Sequence, residues 1–171
     1  MWRWVAKSVD VLVGALVAVG VVFMVGMRTK YPPVLNAVRQ MNRSFWNPRA
    51  MRTAGQPGAM ASVIQHRGRT SGTPYETPIG PYPAIDGFVV ALPYGTSPDW
   101  LKNVMAAGSA VLVHEGETIP VGDPEIISSD IALAYVPQSE QRSLRAFDVD
   151  QFLRMRRMDP KETAEETETL S

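Results

Sequence analysis

The chain has 171 residues, with 17 basic and 17 acidic side chains and an apolar content of 45%, which fits one modest domain with appendages. Because the formal net charge is zero, we expect no strongly basic surface and no nucleic-acid partner. Cysteine is absent, which excludes disulfides, thiolate nucleophiles and cysteine-ligated metals. The only two histidines, His66 and His114, lie far apart without carboxylates at ligand spacing, so no metal site is predicted.

The N-terminus carries a long uncharged apolar run, VLVGALVAVGVVFMVGM, over residues 11–27. Its length is near the lower limit of a bilayer span, which is ~17–25 residues. We therefore predict a single-pass anchor in the cell membrane over residues 1–30. A cleaved signal peptide is the alternative, although the run ends without the small-x-small pattern of a cleavage site. More basic residues follow the run than precede it, which favours a cytoplasmic position for the rest of the chain.

Residues 31–59 combine an amphipathic helix with a hinge. Apolar side chains recur there at helical spacing, while Arg39 and Arg43 occupy another face; the apolar positions are Val34, Leu35, Val38, Met41 and Phe45. The apolar stripe is expected to pack on the following domain, the alternative being that the arginines lie on anionic lipid. The turn-rich run AGQPGA, residues 54–59, predicts a hinge into that domain.

Residues 60–158 show the period of short β-strands, which are predicted over residues 61–67, 75–82, 87–92, 110–114 and 118–127. Tight hairpin turns are expected at Asp86-Gly87 and Glu115-Gly116. One helix interrupts the strands, with Ser97 as its N-cap, Pro98 in its first turn and Gly108 at its end. A last helix is predicted over residues 139–158. Many short antiparallel strands with few helices indicate a mainly β (α+β) barrel or sandwich.

The remaining residues, 159–171, are acidic and lack aromatic side chains, so this tail is predicted to be disordered. No internal repeat is found in the sequence.

The connection between the first two predicted strands is rich in hydrogen-bond donors. The stretch HRGRTSGTPYETP, residues 66–78, places two glycines among arginine, serine and threonine side chains. Glycine lets the backbone approach a ligand, and these donors suit phosphate or carboxylate oxygens. No Walker loop and no dinucleotide fingerprint is present. The loop is either an anion-binding loop or a solvated hairpin turn, because the same residue types also dominate ordinary turns.

Three motifs in this order resemble the deazaflavin-dependent nitroreductases of actinobacteria. They are Gly68-Arg69-x-Ser71-Gly72-x-Pro74, then Thr77-Pro78-Ile79, then Trp100-x-x-Asn103, and together they span most of the domain. The resemblance implies a split β-barrel fold and an enzyme that binds the deazaflavin coenzyme F-420. It also implies hydride transfer from the reduced cofactor to a quinone, a nitro compound or another lipophilic acceptor, with a homodimer as the expected assembly.

Site residues follow from the same resemblance. Arg69, Thr70, Ser71 and Gly72 match the hairpin that holds the anionic tail of the cofactor. The strand that leaves this hairpin matches at Tyr75, Glu76, Thr77 and Pro78. The strand end beside the cofactor matches at Pro93, Tyr94 and Gly95. The helix that completes the pocket matches at Trp100 and Asn103. Tyr94 is the candidate catalytic residue, as a proton donor to the substrate. The alternatives are a hydrogen bond to the cofactor and a purely structural packing role at the strand end.

This chain departs from the family pattern at three basic positions. Typical members carry lysine where this chain has Thr70, arginine where it has Tyr75, and often lysine where it has Tyr94. Charge-assisted hydrogen bonds to phosphate are stronger than neutral ones, so these departures predict weaker binding of a polyanionic tail. Two alternatives to coenzyme F-420 as the ligand therefore remain. One is FMN, whose single phosphate needs fewer cations, and the other is a non-catalytic carrier of a lipid or small molecule.

Overall fold

The computed structural model describes the backbone of residues 2–158 and the side chains of residues 12–158, so the predicted disordered tail lies outside the described residues. The described elements comprise six α-helices: α1 Trp2–Arg28, α2 Pro32–Met41, α3 Asn47–Ala50, α4 Asp99–Ala107, α5 Ser129–Ala132 and α6 Gln138–Ala146. A π-helical turn, Asn42–Trp46, joins α2 to α3. The strands are β1 Ser62–Arg67, β2 Pro74–Ile79, β3 Pro81–Ala84, β4 Gly87–Ala91, β5 Ser109–His114, β6 Glu117–Ser128 and β7 Gln151–Arg157.

The seven strands form one antiparallel sheet in the order β2-β1-β5-β6-β7-β4-β3. Strand β6 is the longest; its first half pairs mainly with β5 and its second half with β7. Between these halves the register shifts at residues 122–125, where Asp123 has a φ of 49°. A bulge of this kind bends a strand and increases its twist. The sheet is therefore a curled half-barrel with flanking helices, which fits the predicted α+β split barrel.

Alternation along the strands separates two apolar clusters on opposite faces of the sheet. Phe88 and Val90 of β4 pack in the barrel interior with Leu101 and Val104 of α4, which are almost completely buried. Val89 of β4 points to the other face, where it joins the cluster beneath α5 and α6. This two-sided burial fixes the register of the central strands, because a slip by one residue would exchange the two faces.

Both predicted hairpins form, and the turn at Glu115-Gly116 is confirmed, but the first turn consists of Ile85 and Asp86 because Gly87 already belongs to β4. Strands β3 and β4 pair from Ala84 with Gly87, and β5 and β6 pair from His114 with Glu117, which leaves two-residue turns in both cases. Glu115 and Gly116 have φ values of 50° and 82°, as the mirror-image turns of tight hairpins require. Gly108 also ends α4 in the left-handed conformation, with a φ of 71°.

The helix predicted over residues 139–158 is wrong in its second half. Helix α6 ends at Ala146, and the chain returns as β7 in the middle of the sheet, between β6 and β4. Leu153 and Met155 face the barrel interior, while Arg154 and Arg156 pair with Asp86 in the β3–β4 turn. Alternation with a period of two residues, rather than helical spacing, therefore governs this segment.

Two smaller expectations also fail. The strand predicted over residues 75–82 divides at Gly80 into β2 and β3, which lie at opposite edges of the sheet. Ser97 is not an N-cap, because α4 begins at Asp99 with Pro98 in the capping position and no side-chain cap. The hydroxyl of Ser97 instead accepts a hydrogen bond from Arg39, which belongs to helix α2.

Helix α1 covers the predicted membrane anchor, and most of its described apolar side chains are exposed. Among the described residues, no single helix has both the length and the apolarity to cross a bilayer. The pair Leu12–Arg28 and Pro32–Ala50 meets those criteria together, but it bends by 103° at its break. The end of α1 is docked on the domain, since Arg28 donates to the Ala146 carbonyl at 3.1 Å and Lys30 to the Asp148 carbonyl at 2.9 Å.

Residues 32–50, which we call the arm, cross from α1 to the barrel. Leu35 and Val38 are buried, as the predicted packing requires, whereas Met41 and Phe45 are exposed. The arm widens to a π-helical turn just before Pro48, which has no N–H to donate to the carbonyl four residues earlier and would clash with it in a regular α-helix. The following residues 54–59 lie against the β5–β6 hairpin, where Gly116 donates to the Gly55 carbonyl at 2.6 Å.

Candidate functional site

A cavity of about 890 Å³ opens between the barrel and the arm. Four parts of the chain line it: the β1–β2 loop with the adjoining strands, the chain after β4, the start of α4, and the arm. The lining residues discussed below are Arg39, Asn42, Arg43, Asn47, His66, Arg69, Thr70, Ser71, Tyr75, Glu76, Thr77, Pro78, Tyr94, Ser97, Asp99, Trp100 and Asn103. Most of these side chains are polar, so the cavity suits a polar or charged ligand better than an acyl chain.

The β1–β2 loop is held in a compact shape by its own backbone. Gly68 donates to the Thr73 carbonyl, and Gly72 donates to the Gly68 carbonyl, both at 2.8 Å. A Cβ atom at Gly68 would lie 2.5 Å from the Ser71 hydroxyl, so a larger residue there would displace the Ser71 side chain. Gly72 has a φ of 65°, the conformation that glycine adopts most readily. This shape directs Arg69, Thr70 and Ser71 toward the cavity.

Asn103 anchors the loop to helix α4. Its Oδ1 accepts from the Arg69 backbone N–H at 3.2 Å and from Arg69 Nη1 at 2.9 Å. Arg69 Nη2 also forms an ion pair with Asp99 Oδ1 at 3.2 Å. Asn103 is 5% exposed, so its bonds to the loop are largely shielded from water. Arg69 is therefore fixed in direction, and part of its charge is already balanced by Asp99.

Asn103 also determines the tautomer of His66. Because Asn103 Oδ1 accepts from Arg69, its Nδ2 amide donates to His66 Nδ1 at 3.2 Å. The proton of the neutral imidazole then lies on Nε2, which donates to the Thr77 hydroxyl at 3.1 Å. The ring stacks on Tyr75, with centroids 5.8 Å apart. His66 is 8% exposed, and this burial lowers the pKa of its imidazole below the ordinary value of 6.5.

We expect His66 to make folding stability depend on pH. Its folded pKa lies below its unfolded pKa, so the unfolded chain binds the proton more readily. The stabilising contribution is complete above about pH 6.5 and is lost as the pH falls toward the folded pKa, with a slope of at most ~1.4 kcal/mol per pH unit. Denaturant unfolding from about pH 8 to about pH 5 measures this slope. In His66→Gln the slope should be smaller, and equal slopes in both proteins would contradict the assignment.

Tyr94, the candidate catalytic residue, follows β4 and projects toward the arm. Asn42 Nδ2 donates to the Tyr94 hydroxyl oxygen at 2.7 Å. The phenolic proton is therefore not used in this contact and can be donated to a molecule in the cavity. Arg39 Nη2 fixes the backbone of Tyr94 by donating to its carbonyl at 3.1 Å. The arm thus positions both ends of this residue.

The structure brings most of the predicted site residues to one cavity. Ten of them line it: Arg69, Thr70, Ser71, Tyr75, Glu76, Thr77, Pro78, Tyr94, Trp100 and Asn103. The three that do not are Gly72, Pro93 and Gly95. Trp100 also packs against the barrel core, so it combines a structural contact with a place in the cavity wall. The ligand-binding roles of these residues stay predictions.

The sequence analysis missed the residues that the arm contributes. Arg39, Asn42, Arg43 and Asn47 all line the cavity, although the helix that carries them was expected only to pack or to lie on lipid. Arg39, Arg43 and Asn47 are spaced four residues apart, which is typical of one helix face, and Asn42 follows Arg39 by three residues. This polar stripe was the signal in the sequence that could have identified them.

The sequence matches no protein-family profile and no curated protein. Solved structures similar to the chain include an F420-H2 dependent reductase (FDR-A), with a TM-score of 0.40, 12% identity, and coverage of 55% of this chain and 92% of that one. An F420 reductase has a TM-score of 0.42, 10% identity, and coverage of 63% and 92%. A domain-swapped dimer has a TM-score of 0.41, 10% identity, and coverage of 69% and 96%. Reductases dependent on the deazaflavin are thus among the solved structures similar to this chain.

Proposed function

We propose that this chain is an oxidoreductase that binds coenzyme F-420 in the cavity between the barrel and the arm. One observation carries the proposal. The three motifs that resemble the deazaflavin-dependent nitroreductases are spread over residues 68–103, and residues of all three line the same cavity: Arg69 and Ser71, Thr77 and Pro78, and Trp100 and Asn103. A plain hairpin turn, the alternative for the first motif, does not require this convergence.

The residues present fit a ligand that has both a ring system and an anionic tail. Arg69, Thr70 and Ser71 offer side-chain donors at one end of the cavity. The start of α4 adds backbone N–H groups and the positive end of a helix dipole. Trp100 provides an aromatic wall for a planar ring. In contrast, a site for an acyl chain would be lined mainly by apolar side chains, which favours the redox cofactor over the lipid carrier.

The protein contributes position and electrostatics to the proposed reaction. A bound reduced deazaflavin supplies the hydride. Arg69, held by Asn103 and Asp99, retains the anionic tail at one end of the cavity. Tyr94 donates its phenolic proton to the acceptor, while Asn42 keeps its hydroxyl oxygen in place. The arm forms one side of the cavity, opposite the barrel residues that hold the ligand.

We further propose that the acceptor is lipophilic, such as a quinone or a nitro compound, and that α1 attaches the protein to the cell membrane with its domain in the cytoplasm. The support is the described apolar surface of α1, where Leu12, Leu16 and Val19 are each more than 60% exposed. A helix that is apolar on all sides has no stable place in water. Recovery of the full chain in the soluble fraction, without detergent, would contradict this placement.

Titration of the full chain in detergent with coenzyme F-420 and with FMN, followed by cofactor fluorescence, tests the proposed cofactor. We expect saturable binding of coenzyme F-420, weakened about tenfold or more by Arg69→Ala with Ser71→Ala, because these changes remove charge-assisted donors. Arg52→Ala is the matched control, since Arg52 is exposed and outside the cavity. Tighter binding of FMN than of coenzyme F-420 would show that FMN is the cofactor instead. Binding of neither flavin, with lipid released on extraction, would favour the carrier.

A further inference from the structure

We propose that Arg39 and Arg43 of the arm supply the positive charge that an anionic ligand tail needs in this cavity. The inference rests on the proposed function, because it assigns new binding residues to the same site. It differs from the residues expected from the sequence, all of which belong to the barrel and to α4. The arm thereby becomes one wall of the binding site as well as the link between α1 and the barrel.

The barrel side of the cavity is a poor anion site by itself. Its lining includes one arginine, Arg69, against two carboxylates, Asp99 and Glu76. Asp99 lies 3.2 Å from Arg69 and offsets its charge. Glu76 accepts from Gln65 at 2.9 Å, a neutral partner that leaves its negative charge in place. A phosphate approaching this wall alone would meet net negative charge.

The arm changes this balance. Arg39 and Arg43 raise the number of lining arginines to three against the same two carboxylates. Neither arm arginine has a carboxylate within 4.0 Å among the described residues. Their charges are therefore not offset by contact with an acid, and the cavity becomes net positive between the arm and the β1–β2 loop.

The two arginines differ in what holds them. Arg39 donates to the Tyr94 carbonyl and to the Ser97 hydroxyl, while its Nε is buried and has no hydrogen-bond partner among the described residues. Buried donors of this kind are normally satisfied, so a ligand or water at Arg39 is expected. The Arg43 side chain is exposed and forms no ion pair within residues 12–158. It can therefore turn toward a ligand without breaking an ion pair.

The local backbone explains why these residues share one face. In the π-helical turn, Asn47 donates to the Asn42 carbonyl, a bond that spans five residues instead of four. Residues 39, 43 and 47 follow one another along the arm and all line the cavity. The turn before Pro48 thus places a polar stripe opposite the β1–β2 loop. Turns of this kind are frequent at functional sites.

The test measures the dissociation constant of coenzyme F-420 at several salt concentrations. It compares the wild-type full chain with the variants Arg43→Gln, Arg43→Lys and Arg52→Gln. We expect Arg43→Gln to weaken binding about tenfold or more and to reduce its salt dependence, because one charged contact is lost. Arg43→Lys should retain most of the affinity. Arg52→Gln, an exposed arginine just beyond the arm, should bind like the wild type. Arg43 is chosen because Arg39 also supports Tyr94.

A second measurement distinguishes failure of this inference from failure of the proposed cofactor. If Arg43→Gln binds coenzyme F-420 as tightly as the wild type, the inference is overturned and the proposed function stands. If the wild type binds no deazaflavin, the proposed function fails, and pyrophosphate is titrated while the thermal midpoint of unfolding is followed. Stabilisation by pyrophosphate that disappears in Arg43→Gln but persists in Arg52→Gln would still support the anion site. Equal stabilisation of all variants, or stabilisation of none, would overturn it.

Discussion

Tyr94→Phe is expected to slow reduction of the acceptor by about a hundredfold or more while leaving cofactor binding nearly unchanged. Proton transfer by a positioned side chain contributes on the order of 10²–10⁴ in rate. Asn42 donates a hydrogen bond to the hydroxyl oxygen of Tyr94, which leaves the phenolic proton available. Arg39 fixes the backbone of Tyr94 by donating to its carbonyl. Phenylalanine keeps the ring in the cavity wall and removes the hydroxyl, which is the proton donor and also the acceptor for Asn42. Turnover and cofactor affinity, measured on the same preparations, separate the two effects.

Two further variants define the role of Tyr94. Asn42→Ala should reduce the rate less than Tyr94→Phe, because the phenol remains but is no longer held by the 2.7 Å hydrogen bond. Tyr31→Phe should have the wild-type rate, since Tyr31 is exposed and lies outside the cavity. An unchanged turnover rate in Tyr94→Phe would show that the proton comes from another source, such as solvent.

Asn103→Leu is expected to damage both the fold and the site. The leucine would leave Arg69 without its 2.9 Å acceptor and His66 Nδ1 without a donor, in surroundings where Asn103 is 5% exposed. A buried polar group without a partner costs ~1–3 kcal/mol. We therefore expect the free energy of unfolding to fall by about that amount. Affinity for the anionic ligand should fall about tenfold or more, because Arg69 is no longer fixed.

Asn103→Asp distinguishes the contribution of the hydrogen bond to Arg69 from that of the hydrogen bond to His66. The aspartate still accepts from Arg69 but cannot donate to neutral His66 Nδ1, and its charge favours the protonated imidazole. The pKa of His66 should therefore rise relative to the wild type, which NMR titration of the histidine ring measures. Affinity for the anionic ligand should fall in this variant as well, because a second carboxylate beside Arg69 offsets its charge. Equal stability of Asn103→Leu and the wild type would contradict the structural role of this residue.

Much of the fold could be predicted from local patterns. The β3–β4 and β5–β6 hairpins and the glycine end of α4 depend on residues that are adjacent in sequence, although the first turn lies one residue earlier than predicted. Strand β7 could not be assigned from the same kind of evidence, because arginine-rich segments are also good helix formers. Its burial on both faces is a tertiary effect, and the alternation of Leu153 and Met155 with Arg154 and Arg156 was its only local sign.

The site was predictable to the extent that its motifs lie on the barrel and α4. Residues of the β1–β2 loop and the Trp100–Asn103 pair do line one cavity. The arm could not be placed there from sequence, since its position depends on long-range contacts. These are the docking of α1 on the end of α6 and the hydrogen bonds from Arg39 and Asn42 to Tyr94. The arginines that the arm adds to the cavity therefore lie outside the three motifs.

The most direct test of the proposed hydride transfer is a single-turnover experiment in which the full chain in detergent is mixed with reduced coenzyme F-420 and a quinone. We expect the absorbance of the oxidised deazaflavin to return at a rate that saturates with protein concentration, and we expect Tyr94→Phe to lower this rate. Oxidation no faster than in the absence of protein, under conditions where the cofactor is bound, would contradict the assignment of this cavity to hydride transfer.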